Sequence, residues 1–282
     1  MKLDLTVTNA GAPLPLIIHI HGGGWKSGSH KDSPKYYGLV DRGFAFAAIE
    51  YRLSGEAAFP AQLLDCKAAV RFFKANASVY NIDAGRIGVI GGSAGGHLAA
   101  LLGVAAGADG FEDDINWPGY SSEVQAVVNI SGPSDVPLLI TTARSCDKII
   151  TERMRVSGLF TEDTIRRVSN VSFGRDQAWF SDFIGGNLGD NMDNARAASP
   201  LSYISENQPP FLIVHGESDC IVPYIHAVKL YEALRKAGAD AELITLPNTP
   251  HGIYCDLDGK SNDWVYGRIY SFFENYLQRG GA

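Results

Sequence analysis

The chain has 282 residues, 45% hydrophobic and 20% charged, with a formal net charge of −7. This is an ordinary globular composition, long enough for a sizeable core, and the acidic excess argues against a nucleic-acid binder, which would carry a basic face. No apolar run approaches the ~20 residues that span a bilayer, and residues 1–6 lack an apolar stretch of signal-peptide length. A soluble chain without membrane partners is therefore expected, cytoplasmic or secreted with its leader removed.

In chain order, residues 16–20 (Leu-Ile-Ile-His-Ile), bounded by Pro15 and by glycines, read as a buried strand. Residues 33–42 read as a helix and 44–49 as a second apolar strand. The amphipathic pattern of Leu63, Leu64, Ala68, Val70 and Phe72 or Phe73 predicts a helix over 60–75. Residues 87–90 form a short apolar strand ahead of a small-residue helix at 97–106. Further strands are predicted at 124–130, 211–215 and 242–246, with helices at 227–237, stopped by Gly238, and at 264–278. Strands alternate with helices, and most strands are apolar throughout. A mainly parallel sheet covered by helices on both faces requires that pattern. One α/β domain over residues 1–282 is expected. Residues 137–200 are too long for a simple connection. They read as a cap or lid insertion over the active-site end of the sheet, with an extra packed helical layer as the alternative.

Between the strand at 87–90 and the following helix lies Gly91-Gly92-Ser93-Ala94-Gly95-Gly96-His97. A G-x-S-x-G sequence between a strand and a helix places the serine on a sharp turn, its hydroxyl exposed at the end of a sheet. Alone the pattern is weak, because a plain glycine-rich turn has the same letters. A serine nucleophile needs a base oriented by an acid. Of the seven histidines, His19 lies within a strand, His21 opens a glycine loop, His97 begins a helix and His215 ends a strand, while His30 and His226 read as superficial. Only His251, in Pro250-His251-Gly252, lies in the loop after the last strand, where a base is delivered. Asp219 follows the penultimate strand and suits the reach to His251; Asp135 and Glu217 are the alternatives. The order Ser, Asp, His is that of the α/β-hydrolases.

His21-Gly22-Gly23-Gly24-Trp25 directly follows a strand. Its backbone N–H groups are candidates to stabilise an oxyanion: those of Gly23 and Gly24, with that of Ala94 after the serine, and Trp25 as a possible substitute. A phosphate-binding turn is the competing reading, but no G-x-x-x-x-G-K-[ST] is present. The two motifs lie about 70 residues apart. Trp25, Trp179 and Phe180 are candidates to face an aromatic or sugar group, although single aromatics are more often core. Trp25 is the one assigned to substrate binding.

Together these residues resemble the α/β-hydrolase superfamily, and within it the carboxylesterases with an HGGGW loop. The likeness is to bacterial feruloyl- and acetylxylan-esterase-type enzymes and to hormone-sensitive-lipase-like esterases. It rests on the HGGGW loop, Tyr51-Arg52-Leu53, Gly91 to His97, Gly132-Pro-Ser-Asp135, Ala198-Ser-Pro200, His215 to Pro223 and Pro250-His-Gly252. The resemblance implies Ser93 as nucleophile, Asp219 as acid, His251 as base and Gly23, Gly24 and Ala94 as oxyanion donors. It implies a small-molecule ester as substrate, with no metal or organic cofactor. A prolyl-oligopeptidase-like peptidase and a non-catalytic ligand-binding fold are the rival readings. Two departures stand out. The opening antiparallel strands of such folds are partly missing, with residues 3–7 expected as the survivor, and residues 140–185 match no pattern.

The cysteines at 66, 146, 220 and 255 are too few for a disulfide scaffold and match no zinc spacing. They read as free thiols. A bridge between Cys220 and Cys255 stays open, because each lies close in sequence to a candidate triad residue.

Overall fold

Seven strands, β1 (Leu3–Thr6), β2 (Leu14–Ile20), β3 (Ala45–Ile49), β4 (Ile82–Gly92), β5 (Ala126–Ile130), β6 (Phe211–Gly216) and β7 (Ala241–Leu246), form one sheet in the order β1-β3-β2-β4-β5-β6-β7. Only β1, on β3, is antiparallel; the other pairs are parallel. The structure is a computed structural model and describes residues 2–8, 11–32, 34–108, 110–111, 117–142, 178–253 and 261–279.

Among the described residues the α-helices are α1 (Ala61–Ala75), α2 (Ala77–Tyr80), α3 (Ala94–Val104), α4 (Val136–Thr142), α5 (Ala178–Ile184), α6 (Met192–Ala197), α7 (Ile225–Lys236) and α8 (Trp264–Phe273). They cover both sheet faces, because successive strand residues point to opposite sides. Leu16 and Ile18 of β2 face a core shared with α1, α3 and α7. Ile17 between them faces a second core closed by Tyr36, Leu39 and the α8 residues Val265, Ile269 and Phe273. Removing each such Leu, Ile or Phe side chain from water contributes about 1.5–3 kcal/mol. Every residue of α3 is buried, so no polar face is available to it, and its run of Ala, Leu and Gly fits that setting. A Cβ on Gly103 would stand 2.6 Å from Val127, a measure of how closely α3 approaches β5.

The expected α/β architecture and strand positions hold, with local differences. The segment 33–42 is a 3₁₀ helix over Pro34–Arg42. β4 begins five residues earlier than the apolar run, at Ile82, because its pairing with β2 shifts register between Leu14 and Leu16 and absorbs a polar stretch. There Arg86 donates to Asp83 at 2.7 Å. α3 begins at Ala94 rather than at 97. The closing helix changes to a π turn over Glu274–Gln278.

Of the expected insertion, residues 143–177 lie outside the described residues, and with them most of the segment that matches no pattern. What is described packs into the main core: Leu139, Ile140, Phe180, Phe183, Ile184 and Ala195 join the cluster under α1 and α3. The Phe183 carbonyl accepts the Phe59 N–H at 2.8 Å, and Lys26 pairs with Asp182 at 2.9 Å. Phe183→Ala is expected to lower stability by about 3–5 kcal/mol, as for other buried aromatic truncations. Urea unfolding of the two proteins measures this; a change within experimental error would mean that α5 is not part of the core.

Candidate active site

From β2 the chain moves outward to β3, then returns past β2 to β4 and continues the other way to β5. Such a reversal opens a crevice at the strand C-termini, where open α/β sheets bind ligands. The HGGGW loop leaves β2 on one side of this crevice and Ser93 leaves β4 on the other. The turn at Ser93 is forced by close backbone approach. A Cβ on Gly95 would stand 2.1 Å from the Ile20 carbonyl oxygen, and one on Gly91 would stand 2.3 Å from the Gly95 carbonyl. Ser93 has φ 56° and ψ −122°. A side chain rarely adopts that conformation, which costs about 1–3 kcal/mol and marks functional turns. The Ser93 N–H donates to the Ile130 carbonyl at 2.8 Å and holds the turn to β5.

Ser93 and His251 line one cleft of about 500 Å³, with Gly22, Gly23, Ser27, Asp32, Tyr36 and Ser131 among its walls. His251 reaches it from the loop after β7, with Nδ1 2.7 Å from Asp219 Oδ2. A carboxylate only accepts, so Nδ1 carries the proton and the Nε2 lone pair is left to act as a base. Asp219 is buried after β6, and its Oδ1 accepts the N–H groups of Ile221 and Val222, each at 3.0 Å. Burial alone would push this carboxyl up. The facing His251 charge, with hydrogen bonds from His215 and His251, outweighs that and holds it well below the usual carboxylate range. The alternative acids are placed elsewhere: Asp135 pairs with Lys229 at 3.3 Å and caps α4 through the Leu138 N–H, while Glu217 is exposed.

In the HGGGW loop, Gly23, Gly24 and Trp25 all take positive φ, at 96°, 60° and 60°. A Cβ on Gly23 would fall 2.2 Å from the Ser27 carbonyl oxygen. His21 stacks on Tyr51 with ring centroids 4.2 Å apart, and the Tyr51 hydroxyl donates to the His21 carbonyl at 3.1 Å. Ala94 is the first residue of α3, a position whose N–H has no partner within the helix. Trp25 is corrected from the expectation. Only 1% exposed, it stacks on Phe183 with centroids 4.1 Å apart. Its indole serves the core, because the loop turns it inward, away from the cleft. Phe180 is buried too, and the Trp179 side chain lies outside the described residues.

His30 and His226, expected at the surface, are both buried. His30 Nδ1 lies 2.8 Å from Glu50. His226 accepts the Ser134 N–H at 3.3 Å. Neither partner is near it in sequence, so polarity alone misplaced them. Two further residues were missed in their present roles. His97 accepts the Trp25 indole N–H at 3.2 Å and donates through Nε2 to the Ala198 carbonyl at 2.6 Å. It ties together the HGGGW loop, α3 and the segment after α6. Its place in the Gly91–His97 motif and the Ala198-Ser-Pro200 motif were the available signals. His215, at the end of β6, contacts Asp219 as well. The half-buried Cys220 follows Asp219. Cys255, like Cys146, lies outside the described residues, so the question of a bridge from Cys220 to Cys255 falls outside them as well. Cys66 is a buried thiol, pushed up by burial. Among the described residues no cluster of His, Cys, Asp and Glu is placed to hold a metal ion, and no helix is long and apolar enough to cross a membrane.

The sheet order, the serine turn and the cleft at the strand C-termini define an α/β-hydrolase. The BD-FAE family model matches residues 3–234, and the chain belongs to that family. It is 30% identical to esterase LipC of Mycobacterium tuberculosis over 96% of this chain and 60% of that protein. It is also 30% identical to esterase LipQ of the same organism, over 86% and 51%. The chain thus spans little more than half the length of these relatives. Among solved structures, a truncated carbohydrate esterase from gut microbiota superposes with a TM-score of 0.72 at 27% identity, over 98% of this chain and 91% of that one. A bifunctional GH43-CE of Bacteroides eggerthii gives 0.73 at 31% identity, over 96% and 33%.

Burial holds three histidines neutral in the fold. His19, beside His21, is lowered to about 3, and His97 and His226 to about 4. The unfolded chain would protonate the same residues below about 6.5. Between about 6.5 and about 4 the unfolded chain therefore binds more protons, and stability falls as pH falls. The slope contributed is at most about 1.4 kcal/mol per histidine per pH unit. Urea midpoints measured from pH 7 to pH 4.5 should decline, and less steeply in His97→Gln; a flat profile would contradict the buried, neutral assignment.

Proposed function

We propose that the protein is a serine carboxylesterase that hydrolyses esters through an acyl-enzyme. The observation that carries this reading is the 2.7 Å contact of His251 with Asp219 at the cleft that Ser93 also lines. Ser93 Oγ attacks the ester carbonyl while His251 Nε2 takes its proton. Asp219 keeps the imidazole in the Nδ1–H tautomer and stabilises the imidazolium as it forms. The N–H groups of Gly23, Gly24 and Ala94 receive the developing oxyanion. His251 then gives its proton to the leaving alcohol. Water, activated by the same base, releases the acyl group and regenerates Ser93.

The substrates we assign are small-molecule esters of short acyl groups, or acetyl and feruloyl esters of the plant-cell-wall type. Support comes from the relatives named esterases and from the superposed carbohydrate esterase. The cleft adds to it: about 500 Å³ suits a small ligand, and Ser27, Asp32, Tyr36 and Ser131 set polar groups among its apolar walls.

The test is hydrolysis of p-nitrophenyl acetate, butyrate and octanoate and of methyl ferulate. Ser93→Ala should reduce kcat by about 10⁶-fold and Asp219→Asn by about 10⁴-fold, by comparison with other serine hydrolases. Acetate and butyrate should be preferred to octanoate. Folded wild type inactive on all four esters, or a Ser93→Ala variant with full activity, would overturn the reading.

A further inference from the structure

The Asp219 carboxylate has more partners than a triad acid requires. Its Oδ1 accepts two backbone N–H groups, from Ile221 and Val222. Its Oδ2 accepts from His251, and the same Oδ2 lies 3.2 Å from Nε2 of a second histidine, His215. His215 is the penultimate residue of β6, at the base of the loop that carries Asp219. It is fully buried, and its Nε2 also lies 2.8 Å from the Val222 carbonyl oxygen. A carbonyl oxygen only accepts, so Nε2 must carry a proton. That proton is shared between the Val222 carbonyl and the Asp219 carboxylate. The tautomer of His215 is thereby set by backbone, and the same N–H also faces the oxygen His251 uses, at 3.2 Å.

We infer that His215 is a positioning residue that holds Asp219 Oδ2 in line with His251 and limits its basicity. The inference rests on the triad reading above. Four donors on one carboxylate spread its charge, so each bond is weaker than it would be alone. The Oδ2 interaction with His251 Nδ1–H then stays a hydrogen bond that orients the ring and leaves the Nε2 lone pair to take a proton. Without His215, Asp219 would lean more heavily on His251, which would hold its proton to a higher pH and serve less well as a base. A purely structural role, bracing the loop between residues 216 and 222, makes no such claim on His251.

Other titratable groups surround the pair. The Tyr224 ring stands 5.9 Å from His215, His226 lies on α7, and Asp135 and Lys229 pair beside it. His19 and Asp32 line the cleft that His251 shares. Replacing His215 alone removes none of these groups, and the His215→Gln variant separates the lost donor from their effects.

The experiment follows the His251 Nδ1 proton by NMR and the acid limb of kcat/KM for p-nitrophenyl acetate. The resonance, far downfield of the amides, is assigned by its loss in His251→Gln. In His215→Phe it should move further downfield, and the pH midpoint of His251 should rise by about one unit. kcat should fall with KM nearly unchanged. His215→Gln, whose amide N–H reaches a similar place, should return both readouts toward wild type. An unchanged resonance and midpoint in His215→Phe, or no recovery in His215→Gln, would overturn the inference. His215→Met carries the same test where the phenylalanine variant fails to fold. The NMR arm needs no turnover, so it still reads the Asp219–His215 contact if the esterase reading itself fails.

Discussion

The first turn of α3 sits so close to the end of β2 that no side chain fits between them. At Gly95 a Cβ would enter the Ile20 carbonyl, and at Gly91 it would enter the turn itself. Much of the site follows from that contact. It lets the chain reverse within one residue, which sets Ser93 at φ 56°. It brings the loop after β2 alongside the N-terminus of α3, where Ala94 begins the helix. The cleft at the switch between β2 and β4 is the space that remains. An L residue at position 95 would push the strand and helix apart and separate the two walls of the site.

Packing then stiffens what the glycines allow. Three consecutive residues of the HGGGW loop have positive φ, which the two glycines adopt readily and Trp25 does not. Trp25 anchors the loop from below: its ring stacks on Phe183 and its indole N–H is held by His97. His97 in turn reaches Ala198, so the end of the expected insertion is locked to the motif at the serine. The tryptophan of the HGGGW motif thus acts as a mechanical element. It holds the loop backbone in place, and Gly22 and Gly23 line the cleft.

On the far side of the cleft the constraint is electrostatic. A buried carboxylate is costly unless its lone pairs are filled. Two backbone N–H groups and two imidazoles fill those of Asp219. The loop between Gly216 and Val222 is wound tightly enough to supply the backbone donors, and the strand below it supplies His215. The acid is therefore organised by its own segment of chain, and His251 arrives from the next loop already oriented.

The order of strands and helices, the two glycine motifs and the sequence Ser93, Asp219, His251 were legible from residues alone, because hydrophobic period and glycine at obligatory turns are local signals. The residues alone favour Asp219 over Asp135 without separating them; in the fold Asp219 is bonded to His251 and Asp135 is paired with Lys229. The start of α3 differs from its sequence expectation because tertiary packing overrides propensity: Gly95 and Gly96 are poor helix formers, yet they lie in its first turn, where a Cβ would meet the end of β2 at Gly95 and the end of β5 at Gly96. The surface placement of His30 and His226 failed for a related reason. A histidine is polar in sequence, but burial depends on partners such as Glu50 and Ser134 that only the folded chain delivers. The same holds for Trp25, whose letter is compatible with substrate or core. By itself the sequence determined the fold class and the chemistry on offer. The tertiary structure alone decided which side chains face the cleft and which hold it open, because facing is a property of packing between segments far apart in the chain.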